Sequence, residues 1–182
     1  MRLGNESDFS DELIRGIIRE VCPSGVKNFL VTVHSRPYET KRTRYGESYV
    51  HHSNGSSGRA TTQPFFRIDE KRRVSRKQMQ GIVVQITTAD ARYPLLEIHR
   101  KGTGYLPALH LTREEHLVHL IAHELRHLWQ YHHPKGWRVW GARGRYSERD
   151  ADAYAICEER AYRRKHPVSL DFTDAFETLS PP

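Results

Sequence analysis

Apolar positions fall into a few separated stretches along the chain, each with a readable period. Leu13, Ile14, Ile17, Ile18 and Val21 stand at helical spacing. Ser10-Asp11-Glu12 opens that segment with Ser10 as a plausible N-cap, and Pro23-Ser24-Gly25 stops it. Asn28 to His34 alternates and is rich in β-branched residues, which predicts a strand. The pattern then vanishes. From Ser35 to Gln63 the chain is polar, basic and rich in Gly, Ser, Thr and Tyr, and it reads as a flexible insertion at about 35–63. Its stretch His51 to Gly58 reads as a loop, with His51 and His52 solvated. Strand patterns return at Pro64 to Ile68, Gly81 to Thr88 and Leu95 to Arg100, with a turn around Gly102 and Gly104. One helix, several strands and then two or three helices predict an α+β domain, a single one across residues 1–182.

Pro107 to Leu111 leads into the longest helical pattern. Thr112-Arg113-Glu114-Glu115 forms a capping box, and the helix is expected from about Arg113 to about Tyr131, ending before Pro134. Leu117, Val118, Ile121, Leu125, Leu128 and Trp129 take one broad side of it. His116, His123 and His127 fall within about 40° of one another on the other side, facing away from the apolar anchor.

Two of those histidines belong to His123-Glu124-Leu125-Arg126-His127, an H-E-x-x-H pentad. Residues four apart sit one above the other on a helix, so both imidazoles can reach one metal ion. A glutamate follows the first of them, where a carboxylate base serves water activated by zinc. His119 and His123 are also four apart but lack the internal glutamate. His116 lies ~10.5 Å up the axis from His123, too far to share its ion. Packing or hydrogen-bonding roles are expected for His116 and His119.

Two histidines leave a zinc site one protein ligand short. His132 and His133 follow too closely on the same helix, and His166 is one candidate. Glu148 is the better one. Ser147 is a plausible N-cap for a last helix running to about Arg164. Glu148 and Asp152 then share a face. Glu148 can ligate, and Asp152 can accept a hydrogen bond from the far nitrogen of a ligating histidine. Ala151 and Ala155 allow this helix a close approach to the first.

Composition adjusts this picture at three points. No run of about 18 apolar residues occurs, so no membrane-spanning helix is expected. The polar start, Met1 to Ser10, lacks the apolar centre of a secretory signal, and a cytoplasmic location is expected. Cys22 and Cys157 lack metal-type spacing and read as reduced, partly buried thiols. Residues 36–77 hold 11 Lys/Arg against 4 Asp/Glu, which accounts for the whole net charge of +7. Such a basic segment can attract nucleic acid or an acidic partner.

With Glu148-Arg149-Asp150-Ala151-Asp152 about twenty residues beyond His127, the chain resembles a gluzincin metallopeptidase over about residues 105–160. Its length is similar to that of a minigluzincin, or of the ImmA-like and SprT-like single-domain peptidases. The resemblance implies a zincin-like fold: an N-terminal helix, a small, twisted, mostly antiparallel sheet, an active-site helix and a third-ligand helix. It implies Zn2+ bound by His123, His127 and Glu148, with Glu124 as general base and Asp152 supporting a ligand. It implies that Tyr146, Tyr154 or His133 stabilises the oxyanion. It also implies a peptide or protein substrate bound by strand addition, with Gly81 to Thr88 as the chosen edge. The expected activity is that of a zinc-dependent endopeptidase. The alternative is a nucleic-acid-associated binding module with a structural metal, motivated by the basic segment and its Tyr38, Tyr45 and Tyr49.

Overall fold

The computed structural model describes residues 1–36, 40–42, 48–50, 56–61, 64–68, 74–78, 80–88, 93–99, 104–132 and 145–168. In chain order these hold β1 (Arg2–Glu6), α1 (Asp11–Val21), β2 (Phe29–Arg36), β3 (Thr40–Arg42), β4 (Ser48–Val50), β5 (Ser57–Thr61), β6 (Pro64–Ile68), β7 (Val74–Gln78), β8 (Gln80–Thr87), β9 (Leu95–Glu97), β10 (Ala108–His110), α2 (Arg113–His132) and α3 (Arg145–Lys165).

The α+β class holds, but the sheet differs from expectation. Its order is β1-β2-β8-β5. β1 runs parallel to β2, and β2 parallel to β8, so the core of the sheet is parallel. Antiparallel pairing enters it only with β5 against β8. Three separate antiparallel pairs, β3–β4, β6–β7 and β9–β10, stand outside it. The reason is connectivity. β1 is followed at once by the helix α1, and a helical crossover returns the chain parallel, where a hairpin would return it antiparallel. β1 carries no apolar alternation, so this pairing was not legible in the sequence.

β8 is a central strand, flanked by β2 and β5. It therefore offers no edge to an extended peptide, which corrects the choice of Gly81 to Thr88. Among the described residues the sheet's edges are β1 and β5, and β5 is cut from the stretch expected to be a flexible insertion. Ser-Gly-Arg-Ala-Thr has no strand alternation, and it is ordered by its pairing with β8 rather than by its own propensity.

The core joins one face of β2 and β8 (Val31, Val33, Ile82, Val84, Ile86) to Ile14, Ile17 and Ile18 of α1 and to Leu117, Ile121, Leu125 and Leu128 of α2. α1 begins as the spacing predicts: the Ser10 hydroxyl accepts from the Leu13 amide at 3.2 Å. At α2 the Glu115 amide donates to the Thr112 hydroxyl at 3.1 Å. The Glu115 carboxylate reaches back to the Leu111 amide at 2.8 Å, one residue before the expected capping partner. Among the described residues no helix is long and apolar enough to cross a membrane. Both cysteines are free. Cys22 is half-buried, while Cys157 is exposed rather than partly buried.

Candidate metal centre

α2 has no solvent face over most of its length. Its apolar side lies on the sheet and α1, and its histidine side lies on α3, so His116, His119, His123 and His127 are all buried. α3 runs antiparallel to α2: His127 meets Glu148, while Glu115 near the start of α2 meets Arg163 near the end of α3. Ala151 and Ala155 are fully buried between them, as the small side chains predicted. Arg126 fixes the register. It grips Asp150 through two nitrogens, at 2.8 and 3.1 Å, and lies over the Trp129 ring at 3.8 Å.

This packing brings three groups to one point. His123 Nε2 lies 3.2 Å from Glu148 Oε2, His127 Nε2 lies 3.3 Å from the same oxygen, and the two nitrogens are 3.0 Å apart. An ion bonded at ~2.0–2.2 Å with tetrahedral angles holds its ligand atoms ~3.3–3.6 Å apart, so the triangle fits with shifts of a few tenths of an ångström. The donor set fits as well: two imidazole nitrogens and one carboxylate suit a zinc-class divalent cation. The far nitrogens are already oriented. His123 Nδ1 lies 2.7 Å from Asp152 Oδ1, and Asp152 is itself held by the Leu106 amide at 2.7 Å. His127 Nδ1 lies 2.9 Å from Gln130 Oε1. With both rings neutral, donation from both Nδ1 atoms would leave both Nε2 lone pairs aimed at the gap beside Glu148.

Glu124 is buried, with the Ala60 amide of β5 donating to its carboxylate. Gly58 in the same strand lies against it so closely that a Cβ there would sit 2.5 Å from Glu124 Oε1 and 2.6 Å from its Cγ. Gly58→Ala therefore forces β5 away from α2. The expected loss is about 1–3 kcal/mol of stability by overpacking, measured by denaturant unfolding.

Comparison with protein-family models, with characterised proteins and with solved structures finds no match for this chain. What bears on function is therefore the chemistry of the cluster itself.

That chemistry is strongly perturbed without a cation. Burial pulls the His123 imidazole down, but hydrogen bonds with Asp152 and Glu148 and the Glu124 charge outweigh it and hold it at about 10. Burial pushes the Glu148 carboxyl up, yet its contacts with His123 and His127 keep it well below the carboxylate range. Burial, the largest influence on Glu124, pushes that carboxyl up. The metal-free fold thus holds a proton on His123, whose ordinary value is 6.5. A raised folded value contributes stability that is complete below 6.5 and gone above about 10. We expect the melting temperature of the metal-free protein to fall across that window. Metal must displace the same proton, so its affinity rises over the same range, with proton release measurable by titration in two buffers.

The other sequence candidates take different places. Tyr154 donates its hydroxyl to the Val21 carbonyl at 2.9 Å, which commits it to α1. Tyr146 is 55% exposed at the start of α3. His166 pairs with Glu20 at 3.0 Å beyond the far end of α3 and is no ligand here. His133, His51 and His52 lie outside the described residues, as do the side chains of nearly all of the basic segment 36–77. Ser147 is not an N-cap, because α3 starts at Arg145. Its hydroxyl instead donates to Gln130 Oε1 at 2.6 Å, bracing the partner of His127.

Sequence reasoning missed Tyr105. Its ring stacks on His123 with centroids 6.0 Å apart, and it is 41% exposed at the mouth of the site. Burial, together with the charge of and a hydrogen bond to Glu148, holds its phenol proton on. A neighbouring glycine and a loop position gave no signal; the Leu106–Asp152 bond, the His99 ring at 4.8 Å and Glu148 together hold the ring there.

Proposed function

We propose that this chain is a metal-dependent hydrolase that cleaves peptide bonds, with His123, His127 and Glu148 holding a zinc-class ion. The observation that carries the reading is the triangle of 3.0–3.3 Å formed by two imidazole nitrogens and one carboxylate oxygen from two clamped helices. When bound, such an ion supplies Lewis acidity, polarising a carbonyl and easing the ionisation of water.

The residues around it have distinct tasks. Glu124, next to His123 and shielded from solvent, takes a proton from water and returns it to the leaving amine. Its burial suits it, because a carboxyl raised above the ordinary range is a stronger base. Tyr105 keeps its proton and stands at the open side of the site, where it can donate to a developing oxyanion. β5 is an edge strand with its Ala60 amide on Glu124, so a peptide extending the sheet along β5 would pass close to the base. The resemblance of His123 to His127 and Glu148 to Asp152 to the gluzincin pattern supports the ligand set and the role of Glu124; the roles of Tyr105 and β5 rest on the geometry alone.

The test is hydrolysis of casein and of a mixed peptide library by the full chain. Activity should disappear on chelation and return when Zn2+ is added back. A chain that binds zinc yet cleaves none of these substrates would refute the peptidase reading and leave a metal-binding protein.

A further inference from the structure

The polar contacts between α2 and α3 do not end at Asp152. Two turns toward the start of α2 from His127 comes His119, and three turns along α3 from Glu148 comes Glu159. His119 Nδ1 lies 3.1 Å from Glu159 Oε2. A third group arrives from β10: His110 Nδ1 lies 3.1 and 3.2 Å from the two oxygens of Glu159. The His110 and His119 rings are 4.8 Å apart and inclined at 69°. The His123 and His127 rings are 4.8 Å apart and inclined at 77°. Two imidazoles and one carboxylate thus meet a second time in nearly the same arrangement.

We propose that His110, His119 and Glu159 form a second divalent-cation site, of the zinc class, that ties β10 to both helices.

The donor atoms lie within 4.8 Å of one another, and all three residues are buried. Their far nitrogens supply an independent argument. His110 is fully buried, and its Nε2 has no hydrogen-bond partner; the nearest acceptor, Glu97 Oε2, is 3.7 Å away. His119 Nε2 faces Asp152 Oδ1 at 3.9 Å. Without a cation, both Nδ1 atoms need protons to meet Glu159, while His110 Nε2 has no hydrogen-bond partner and His119 Nε2 stays 3.9 Å from Asp152 Oδ1. With a cation on the two Nδ1 atoms, each ring carries its single proton on Nε2, aimed at Glu97 or Asp152. Ring movements below ~1 Å then close both hydrogen bonds. That is the ligand, imidazole and carboxylate chain by which proteins orient metal-binding histidines.

Charge permits it. Arg163 touches Glu159 Oε1 at 3.1 Å, but its charge is met by Glu115, at 2.8 and 2.6 Å. Glu97, Glu159 and Asp152 remain to balance a dication. Access exists through a pocket that reaches Glu159 between Ala108, Leu109, Ile156 and Arg163. Asp152 would then serve both centres, through His123 on one side and His119 on the other. No position on this second ion is placed beside Glu124 or β5, so its role is to hold the helix pair in register.

The experiment is metal stoichiometry of the full chain, stripped with chelator, loaded with Co2+ or Zn2+ and desalted. Wild type should retain two equivalents. Glu159→Gln and His110→Gln should each retain one, with circular dichroism confirming the fold. His127→Ala should also retain one, and His127→Ala with Glu159→Gln none. A wild type that saturates at one equivalent, lost in His127→Ala and kept in Glu159→Gln, overturns the second site. So does a wild type whose second equivalent survives Glu159→Gln, or is lost in Glu97→Gln but not in Glu159→Gln. Failure of the hydrolase reading looks different: two equivalents would persist with no cleavage.

Discussion

If the chain is the proposed peptidase, replacing Glu124 by Gln should lower peptide hydrolysis by ~10²–10⁴-fold while zinc stays bound, the range expected for loss of a positioned general base. Glutamine keeps the shape and can still meet the Ala60 amide of β5 through its oxygen, but it cannot accept a proton from water. None of the three metal-binding atoms is touched. The fold should not suffer, because burial is the main cost of the charged carboxylate at this place and the amide removes it. The measurements are kcat on a cleaved peptide, zinc content and thermal midpoint. Unchanged turnover with zinc in place would remove Glu124 from the mechanism.

Glu148→Ala should release the ion held with His123 and His127, whereas Asp152→Asn should weaken it by only ~10–100-fold. The contrast follows from position. Among the described residues Glu148 Oε2 lies within 3.3 Å of both Nε2 atoms, and alanine leaves a two-nitrogen chelate open to water. Asp152 touches the far side of His123, so asparagine still accepts its proton and keeps the ring turned, but without the negative charge that makes the ligand more basic. Zinc titration against a chromophoric chelator separates the two outcomes. Equal affinity in wild type and Glu148→Ala would show that the carboxylate is no ligand.

Much of the candidate site was legible because helices write it locally. The spacing of His123 and His127 fixes a shared face whatever surrounds it, and four residues from Glu148 to Asp152 do the same on α3. The capping residues at Ser10 and Thr112 were equally readable, since each satisfies an amide three residues on. The edge strand was not. Ser57 to Thr61 has neither apolar alternation nor β-branched density, and only the ladder with β8 makes it a strand. Tyr105, Gln130 and Ser147 were missed or misread for a related reason: Tyr105 meets His123 across 18 residues, Gln130 and Ser147 meet across 17, and no local period records such contacts. The expectation that His116 and His119 pack or hydrogen-bond came from the distance of His116 to His123 and from the missing glutamate between His119 and His123. His116 does meet the Tyr93 hydroxyl at 2.7 Å, but the partners of His119 arrive from α3.

By itself the sequence determined two helices, their apolar faces, and the pairings of histidine with histidine and carboxylate with carboxylate along each of them. Those follow from helix rise and rotation, which depend on nothing outside the segment. The tertiary structure decided which faces meet. Antiparallel docking of α3 on α2 brought Glu148 to the His123–His127 pair and Glu159 to His119, and pairing of β5 with β8 laid a glycine on Glu124. Those juxtapositions depend on burial of a shared core and on strand order, free-energy terms that no single stretch of the chain contains.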